Sequence, residues 1–442
     1  MTAVETEHSS IEKDAPAGAH PRRNAGASPR APRGALAIVR SVLFWSHLIM
    51  GTAGGVIILV MSVTGALLGF ERQMIATFDG VAQATPPGAT AAHLPLDSML
   101  ARAGVAGGDV AGLTVKAGRT EPVSVRFRDR ERAAQLLDPY TGATIAPAPR
   151  GRMAASMTWL RGWHRWLGAT AERRPLMRKL TGAANLAFLL LVFSGLYIWW
   201  PKRLSRAAFI TAAVLNPRLG GKARDFNWHN SLGFWSAIPL ALVIATGAFI
   251  SYQWPGQWMD RLFGSDRERV AAIRAMNMPP AAQGGRESGA PEVGAREGAN
   301  PPSPINAAPA VVASLSKMFT LVAVAKPEWQ SISITTAAPR DSVVQFAVAE
   351  GNTYRPDLKT QFFFNASTGV QTRVTDFDSL STSRQIRGWT RFGHTGEVFG
   401  LIGQSIATLV SIVGAILVWT GLALAFRRLV AFRRRRRRTA LA

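Results

Sequence analysis

The chain contains seven histidines, and four of them fall near the ends of long apolar segments. His47 lies seven residues past Arg40, which puts it about 10 Å into the first segment at 1.5 Å per helical residue. His229 opens the third segment on the same side. His164 precedes the second segment and His394 the fourth, both on the opposite side. A histidine is costly inside a bilayer, so each one there is a candidate functional residue. Sorted by depth, His47 falls with His229 and His164 with His394. Two imidazoles at equal depth on facing helices are what bis-histidine axial ligation of a b-type haem requires. Two such pairs, one near each face, would make a two-haem relay across the membrane. Copper and zinc also take imidazole ligands, but without carboxylate or thiolate partners at these positions haem is favoured. For any single histidine the competing reading is a solvated, interfacial residue at a helix terminus. His8 and His20 fall in the N-terminal tail and His93 in an outer segment, and no role is assigned to them.

The elements that must carry these residues are legible in the charge pattern. Hydrophobic residues make up 48% of the chain, yet its formal charge is +24. The two facts reconcile because the basic residues lie outside the apolar runs. Residues 41–70, 180–200, 226–259 and 398–426 are almost free of charge. Each can cross a hydrocarbon core of about 30 Å with roughly 20 helical residues. Arginines before the first segment (Arg22 to Arg40), Lys202 to Arg224 between the second and third, and Arg427 to Arg438 after the fourth place these three stretches in the cytoplasm by the positive-inside rule. Membrane orientation thereby accounts for the basic balance, and no nucleic-acid partner is expected. The absence of cysteine excludes disulfides, iron–sulfur clusters and covalent c-type haem.

The expected order is a disordered cytoplasmic tail over 1–36, transmembrane helix one over 37–70 and an outer domain over 71–158. Helix two follows over 159–203, a cytoplasmic loop over 204–225, and helix three over 226–259. A second outer domain over 260–386 carries a flexible Pro/Gly/Ala-rich insertion at 277–308. Helix four covers 387–428, and a basic cytoplasmic tail covers 429–442. The outer segments alternate as half-buried strands do, at Val123 to Arg128, Ile332 to Ile334 and Val343 to Val348. Turns are expected at Asp138-Pro139-Tyr140-Thr141-Gly142 and Asn365-Ala366-Ser367-Thr368-Gly369. The fold class is therefore a four-transmembrane-helix bundle with two small α+β domains. Positional matches suggest a two-fold internal repeat. His47 and His229 are each followed 17 residues later by Thr-Gly, at Thr64-Gly65 and Thr246-Gly247. Helices two and four end in Ser194-Gly195 and Thr420-Gly421. Such a repeat places a site at the interface between halves.

Small residues flank the proposed pockets: Gly51, Gly54 and Gly55, then Gly168, Gly233, Gly396 and Gly400. Either they give a flat macrocycle room or they let membrane helices pack closely. Arg161, Arg165, Arg387 and Arg391 beside the outer histidines are candidate partners for haem propionates, or they sit among lipid headgroups. Trp199, Trp200, Trp254 and Trp258 read as interfacial anchors.

The segments Trp163-His164-Arg165-Trp166-Leu167-Gly168, Ser194 to Pro201, Trp228-His229-Asn230-Ser231-Leu232-Gly233 and His394-Thr395-Gly396, with the turn at 138–142, follow one another in a recognisable order. In these segments the sequence resembles the PepSY-associated transmembrane helix family, iron-regulated inner-membrane proteins that include ferric-siderophore reductases. The resemblance spans about residues 38–428. It implies PepSY-like outer domains in the periplasm and a bacterial inner-membrane location, with both termini cytoplasmic. It also implies two b-type haems held by His47, His229, His164 and His394, and reduction of a ferric siderophore or similar ferric chelate. No G-x-G-x-x-G fingerprint is present, so electrons would come from a membrane quinol or a separate reductase. The alternative is a non-enzymatic, membrane-anchored PepSY module that binds a peptide or uptake partner.

Overall fold

The computed structural model describes residues 35–129, 131–146, 151–200, 205–264, 314–336, 343–351 and 354–440. The expected insertion at 277–308 and nearly all of the N-terminal tail lie outside these residues. In chain order the main elements begin with helices α1 (Ala35–Leu68), α2 (Glu71–Phe78) and α3 (Leu96–Arg102). Strands β1 (Val110–Lys116), β2 (Val123–Phe127), β3 (Gln135–Leu137) and β4 (Thr144–Ile145) follow. Then come helices α4 (Arg152–Trp166), α5 (Arg174–Trp199), α6 (Arg206–Ala213), α7 (Gly221–Ser251), α8 (Trp254–Phe263) and α9 (Leu315–Ala325). Strands β5 (Trp329–Thr335), β6 (Val343–Glu350), β7 (Lys359–Asn365) and β8 (Gln371–Thr375) precede the last helices, α10 (Thr382–Thr395) and α11 (Gly400–Ala440).

Four stretches are long and apolar enough to cross a bilayer: Ala35–Leu68, Arg152–Trp199, Gly221–Ser251 and Glu397–Ala440. The chain is thus a multi-pass membrane protein. Ile58 of α1 packs with Ala184 and Leu191 of α5 and Val418 of α11. Leu240 and Ile244 of α7 pack with Val410 and Leu417 of α11, and Phe188 of α5 borders both clusters. These aliphatic layers fill the middle of the membrane segment.

Two breaks decide where the outer histidines sit. Helix α4 stops because Leu167 and Gly168 take left-handed backbone angles, φ 51° and 73°. A Cβ on Gly168 would meet the Trp163 ring at 2.8 Å. Helix α10 stops at Gly396, also left-handed at φ 74°, where a Cβ would strike the Gly403 carbonyl. Glycine tolerates this conformation at a helix C-terminus. His164 and His394 therefore occupy the last turns of α4 and α10. Gly168 and Gly396 thus end helices, a role that neither reading of the flanking glycines gave them.

The outer stretches at 71–158 and 260–386, read from sequence as two domains, give four strands each to a single antiparallel sheet. Its order is β4-β3-β2-β1-β5-β6-β7-β8. The halves join where β1 pairs β5, from Gly112 opposite Thr335 to Lys116 opposite Ser331. Pairing satisfies two strand edges that would otherwise stand open and merges the two cores. Alternate residues such as Val125, Ile332, Phe346 and Phe364 are buried against Met99 of α3 and Met318 of α9. The closing turns form at 138–142 and 365–369. Asp138 accepts the amides of Tyr140 and Thr141, and Asn365 those of Ser367 and Thr368.

Other boundaries shift. The expected loop over 204–225 contains α6 and the start of α7, and α11 continues through the arginine run to Ala440. Arginine is a good helix former, so charge does not end the helix.

Asp97 ties the two halves of the sheet domain together. From the first turn of α3 it accepts the Ser314 hydroxyl at 2.6 Å and the amides of Leu315 and Ser316 at the start of α9. Burial works to raise its pKa, but these hydrogen bonds outweigh it and hold the carboxyl below its ordinary value. A depressed carboxylate contributes stability above its unfolded pKa and loses it as pH falls through the folded one. Asp97→Ala should cost about 1 kcal/mol, as loss of a helix cap does. Thermal unfolding in detergent, compared between pH 6 and about pH 3, should show the gap between wild type and Asp97→Asn shrinking in acid.

Candidate functional site

Each histidine is held by the helix it faces. His47 Nδ1 lies 2.9 Å from Ser194 Oγ. His164 Nδ1 lies 2.9 Å from the Met61 carbonyl and 3.1 Å from Thr64 Oγ1. His229 Nδ1 is 3.0 Å from both the Leu417 carbonyl and Thr420 Oγ1. His394 Nδ1 is 2.8 Å from the Val243 carbonyl and 3.2 Å from Thr246 Oγ1. The tautomer follows from these partners. A carbonyl can only accept, so Nδ1 must carry the proton. Each hydroxyl donates to its own helix four residues back: Thr64 to Val60, Ser194 to Leu190, Thr246 to Leu242 and Thr420 to Ile416. Each hydroxyl oxygen is then left to accept from Nδ1–H. All four rings keep a bare Nε2 lone pair, the form in which imidazole binds a metal.

The residue after each hydroxyl is glycine, for a steric reason. A Cβ at Gly65, Gly195, Gly247 or Gly421 would lie 3.1–3.2 Å from Cε1 of His164, His47, His394 or His229 respectively. The Ser/Thr-Gly dipeptides are thus four ring seats, with the hydroxyl fixing the tautomer and the glycine leaving room for the ring. Sequence reading noted these dipeptides only as matched positions. Their role is invisible there because each seat lies 100–191 residues from the histidine it holds. Of the two readings of the flanking glycines, the contacts of Gly55, Gly233 and Gly51 match close helix packing. Gly55 packs on Leu422, Gly233 on Leu417 and Gly51 on Leu191.

The structure brings the rings together in two pairs. His47 and His229 have centroids 6.3 Å apart with planes at 84°. His164 and His394 are 6.4 Å apart at 51°. An imidazole nitrogen binds a transition metal at about 2 Å and lies about 1 Å from the ring centre, so two rings flanking one metal have centroids about 6 Å apart. Among the described residues no group of three or more His, Asp or Glu could hold a bare metal ion. Two imidazoles suit a metal that brings its other ligands with it, as haem iron does. Along α1, His47 and the Met61 carbonyl that holds His164 are separated by about 20 Å at 1.5 Å per residue. One pair therefore lies toward each end of the bundle.

The flanking arginines divide. Arg161 pairs with Glu71, and Arg387 with Asp260. Arg165 stacks over Trp166 at 4.8 Å, and Arg391 lies 5.7 Å from the Phe392 ring. Trp199 stacks on Phe234 at 4.2 Å, while Trp200, Trp254 and Trp258 are exposed. His93 packs against Tyr140 away from both pairs.

A family model described as the PepSY-associated TM region matches residues 44–428. No curated protein matches the chain.

The seats are unequal in one respect. His164 keeps the Met61 carbonyl if Thr64 is lost, whereas among the described residues Ser194 is the one acceptor that His47 Nδ1 has. Ser194→Ala should therefore destabilise the protein by about 1–3 kcal/mol, the cost of an orphaned buried donor. Thr64→Val should cost under about 1 kcal/mol. Unfolding in detergent measures both, and equal losses would contradict the assignment.

Proposed function

The chain belongs to the PepSY-associated TM region family, and from that premise we propose that it is a transmembrane b-type dihaem electron-transfer protein. It reduces a ferric siderophore or similar ferric chelate on the periplasmic side. The observation that carries this reading is the pair of imidazole couples at 6.3 and 6.4 Å, with every Nδ1 engaged and no Nε2 hydrogen-bonded among the described residues. His47 and His229 would hold one haem, and His164 and His394 the other. When bound, such a haem supplies one-electron chemistry without any change of ligand.

The protein's own contribution is positioning. The seats prevent ring rotation and keep Nε2 unprotonated, and the Nδ1 hydrogen bonds raise the basicity of the coordinating nitrogen. The aliphatic layer of Ile58, Leu191, Leu240, Ile244 and Leu417 between the pairs excludes water from the membrane centre. On the acceptor, one electron converts iron(III) to iron(II), which hard oxygen donors hold far more weakly. The metal is released with its chelator intact. A membrane quinol or a separate reductase supplies the electron.

The orientation belongs to the same reading. The arginines of the N-terminal stretch, the 202–224 connection and the C-terminal run support cytoplasmic termini, with the sheet domain in the periplasm. The two halves, each helix, outer segment and helix, are read as repeats, supported by four matched seats and four strands from each half.

Purified in mild detergent and reduced with dithionite, the protein should show the α and Soret bands of low-spin b-type haem. His47→Ala or His229→Ala should remove one haem and spare the other. Gly421→Val, which adds a side chain where a Cβ alone comes 3.2 Å from the His229 ring, should deplete the same haem. Wild type without these bands, or single variants that lose both haems or neither, would sink the proposal and favour a non-enzymatic anchor.

A further inference from the structure

The outer histidine pair is overlooked by a cavity of about 430 Å³. Its lining includes Tyr252, Gln253, Gln257, Thr390 and Arg391, together with the Arg387–Asp260 pair. Thr390 and Arg391 precede His394 by four and three residues on α10. They therefore share its face, one helical turn farther out. The cavity has the volume of a small-ligand site, and its amide and hydroxyl groups are hydrogen-bonding partners for a polar guest.

Its charge is lopsided. Asp260 is committed to Arg387 and to the Ser383 hydroxyl, so its negative charge is offset. Arg391 has no acidic partner among the described residues. Arg178 donates to the Ser251 carbonyl, beside the lining residue Tyr252, at 3.0 Å, and it too lacks an acidic partner there. Arg165 feels the positive charges of Arg178, Arg161 and Arg391. Lys359 lies 4.9 Å from the Phe392 ring. Burial and then Arg391 push its ammonium below its usual pKa. Arg391, Arg178 and Arg165 are exposed and Lys359 is half-buried, so the mouth of the cavity carries positive charge that can attract an anion from solution.

We infer that this cavity is the docking site for the acceptor, and that the acceptor is a net-anionic, oxygen-ligated iron(III) chelate of the catecholate or carboxylate class. The inference rests on the reductase reading for the identity of the metal complex. The site places such a chelate one turn above His394, with Arg391 and Arg178 bonding its anionic oxygens. The carboxylates of a bound haem share this chemistry, so the test separates the two.

The probe is a redox-inert gallium(III) complex, whose binding to the purified full-length protein needs no electron transfer. Gallium(III) tris-catecholate should bind more tightly than neutral gallium(III) tris-hydroxamate, and added salt should weaken it. Arg391→Gln and Arg178→Gln should each weaken catecholate binding about tenfold, the loss of one charge-assisted hydrogen bond. Hydroxamate binding and haem absorbance should not change. Arg391→Lys should recover part of the loss, and Arg373→Gln on β8, a distant exposed site, should behave as wild type. Equal affinity for the two complexes overturns the proposal. So does haem loss in Arg391→Gln or Arg178→Gln, which would assign those cations to haem carboxylates. Catecholate selectivity in a protein without haem bands would instead overturn the reductase reading and leave the anion site standing.

Discussion

An imidazole inside a bilayer has two polar nitrogens and no water to satisfy them. In this protein the problem is met four times in the same way. Nδ1–H is given to a helix hydroxyl, and in three of the four cases also to a main-chain carbonyl. A helix interior ordinarily has no carbonyl to spare, since each is taken by an amide four residues on. A carbonyl can accept a second bond, however, and a Ser or Thr that folds back on its own helix offers its oxygen outward. The glycine beside it then decides whether a ring can come close enough to use that oxygen. Much of the rest of the bundle follows from this local device. Two helices must lie close enough to seat each ring, and the rings that result face each other in pairs.

The depth of each ring has a separate origin. His47 and His229 are interior to long helices, so their height is set by where those helices enter the membrane. His164 and His394 sit in the final turns of α4 and α10, so their height is set by helix termination at Gly168 and Gly396. The left-handed backbone ends each helix just past its histidine and lets the chain turn before α5 and α11 begin. Thr181 reinforces the first break by donating to the Arg165 carbonyl at 3.1 Å.

The sheet domain constrains the bundle from outside. Because β1 pairs β5, the segment after α1 and the segment after α8 are parts of one body, and the helices that feed them must end on the same side. That single junction makes α1 and α7 run in one direction and α5 and α11 in the other. Asp97 adds a polar clasp between α3 and α9 at the same seam. The cavity beside Arg387 and Arg391 is lined by the end of α7, by α8 and by α10, the helices that lead to and from this domain.

Much of this was legible in the chain alone. Apolar runs, arginine clusters, strand alternation and the Asx turns at Asp138 and Asn365 are local patterns. Local physics decides them: hydrocarbon thickness, the period of a strand, the geometry of a short side chain on its own backbone. The depth of the four histidines follows from those patterns. What the sequence left undecided were its glycines. Gly168 and Gly396, open there between pocket lining and close packing, are helix stops, while Gly65, Gly195, Gly247 and Gly421, there only matched positions, are the ring seats. It also divided into two domains what is one sheet. These features depend on which helix faces which and which strand edges meet. A glycine has no side chain to signal its role, and a contact between residues 100 or more positions apart leaves no periodicity behind. Only the packed structure decides them, because there the backbone itself becomes the surface against which each histidine is placed.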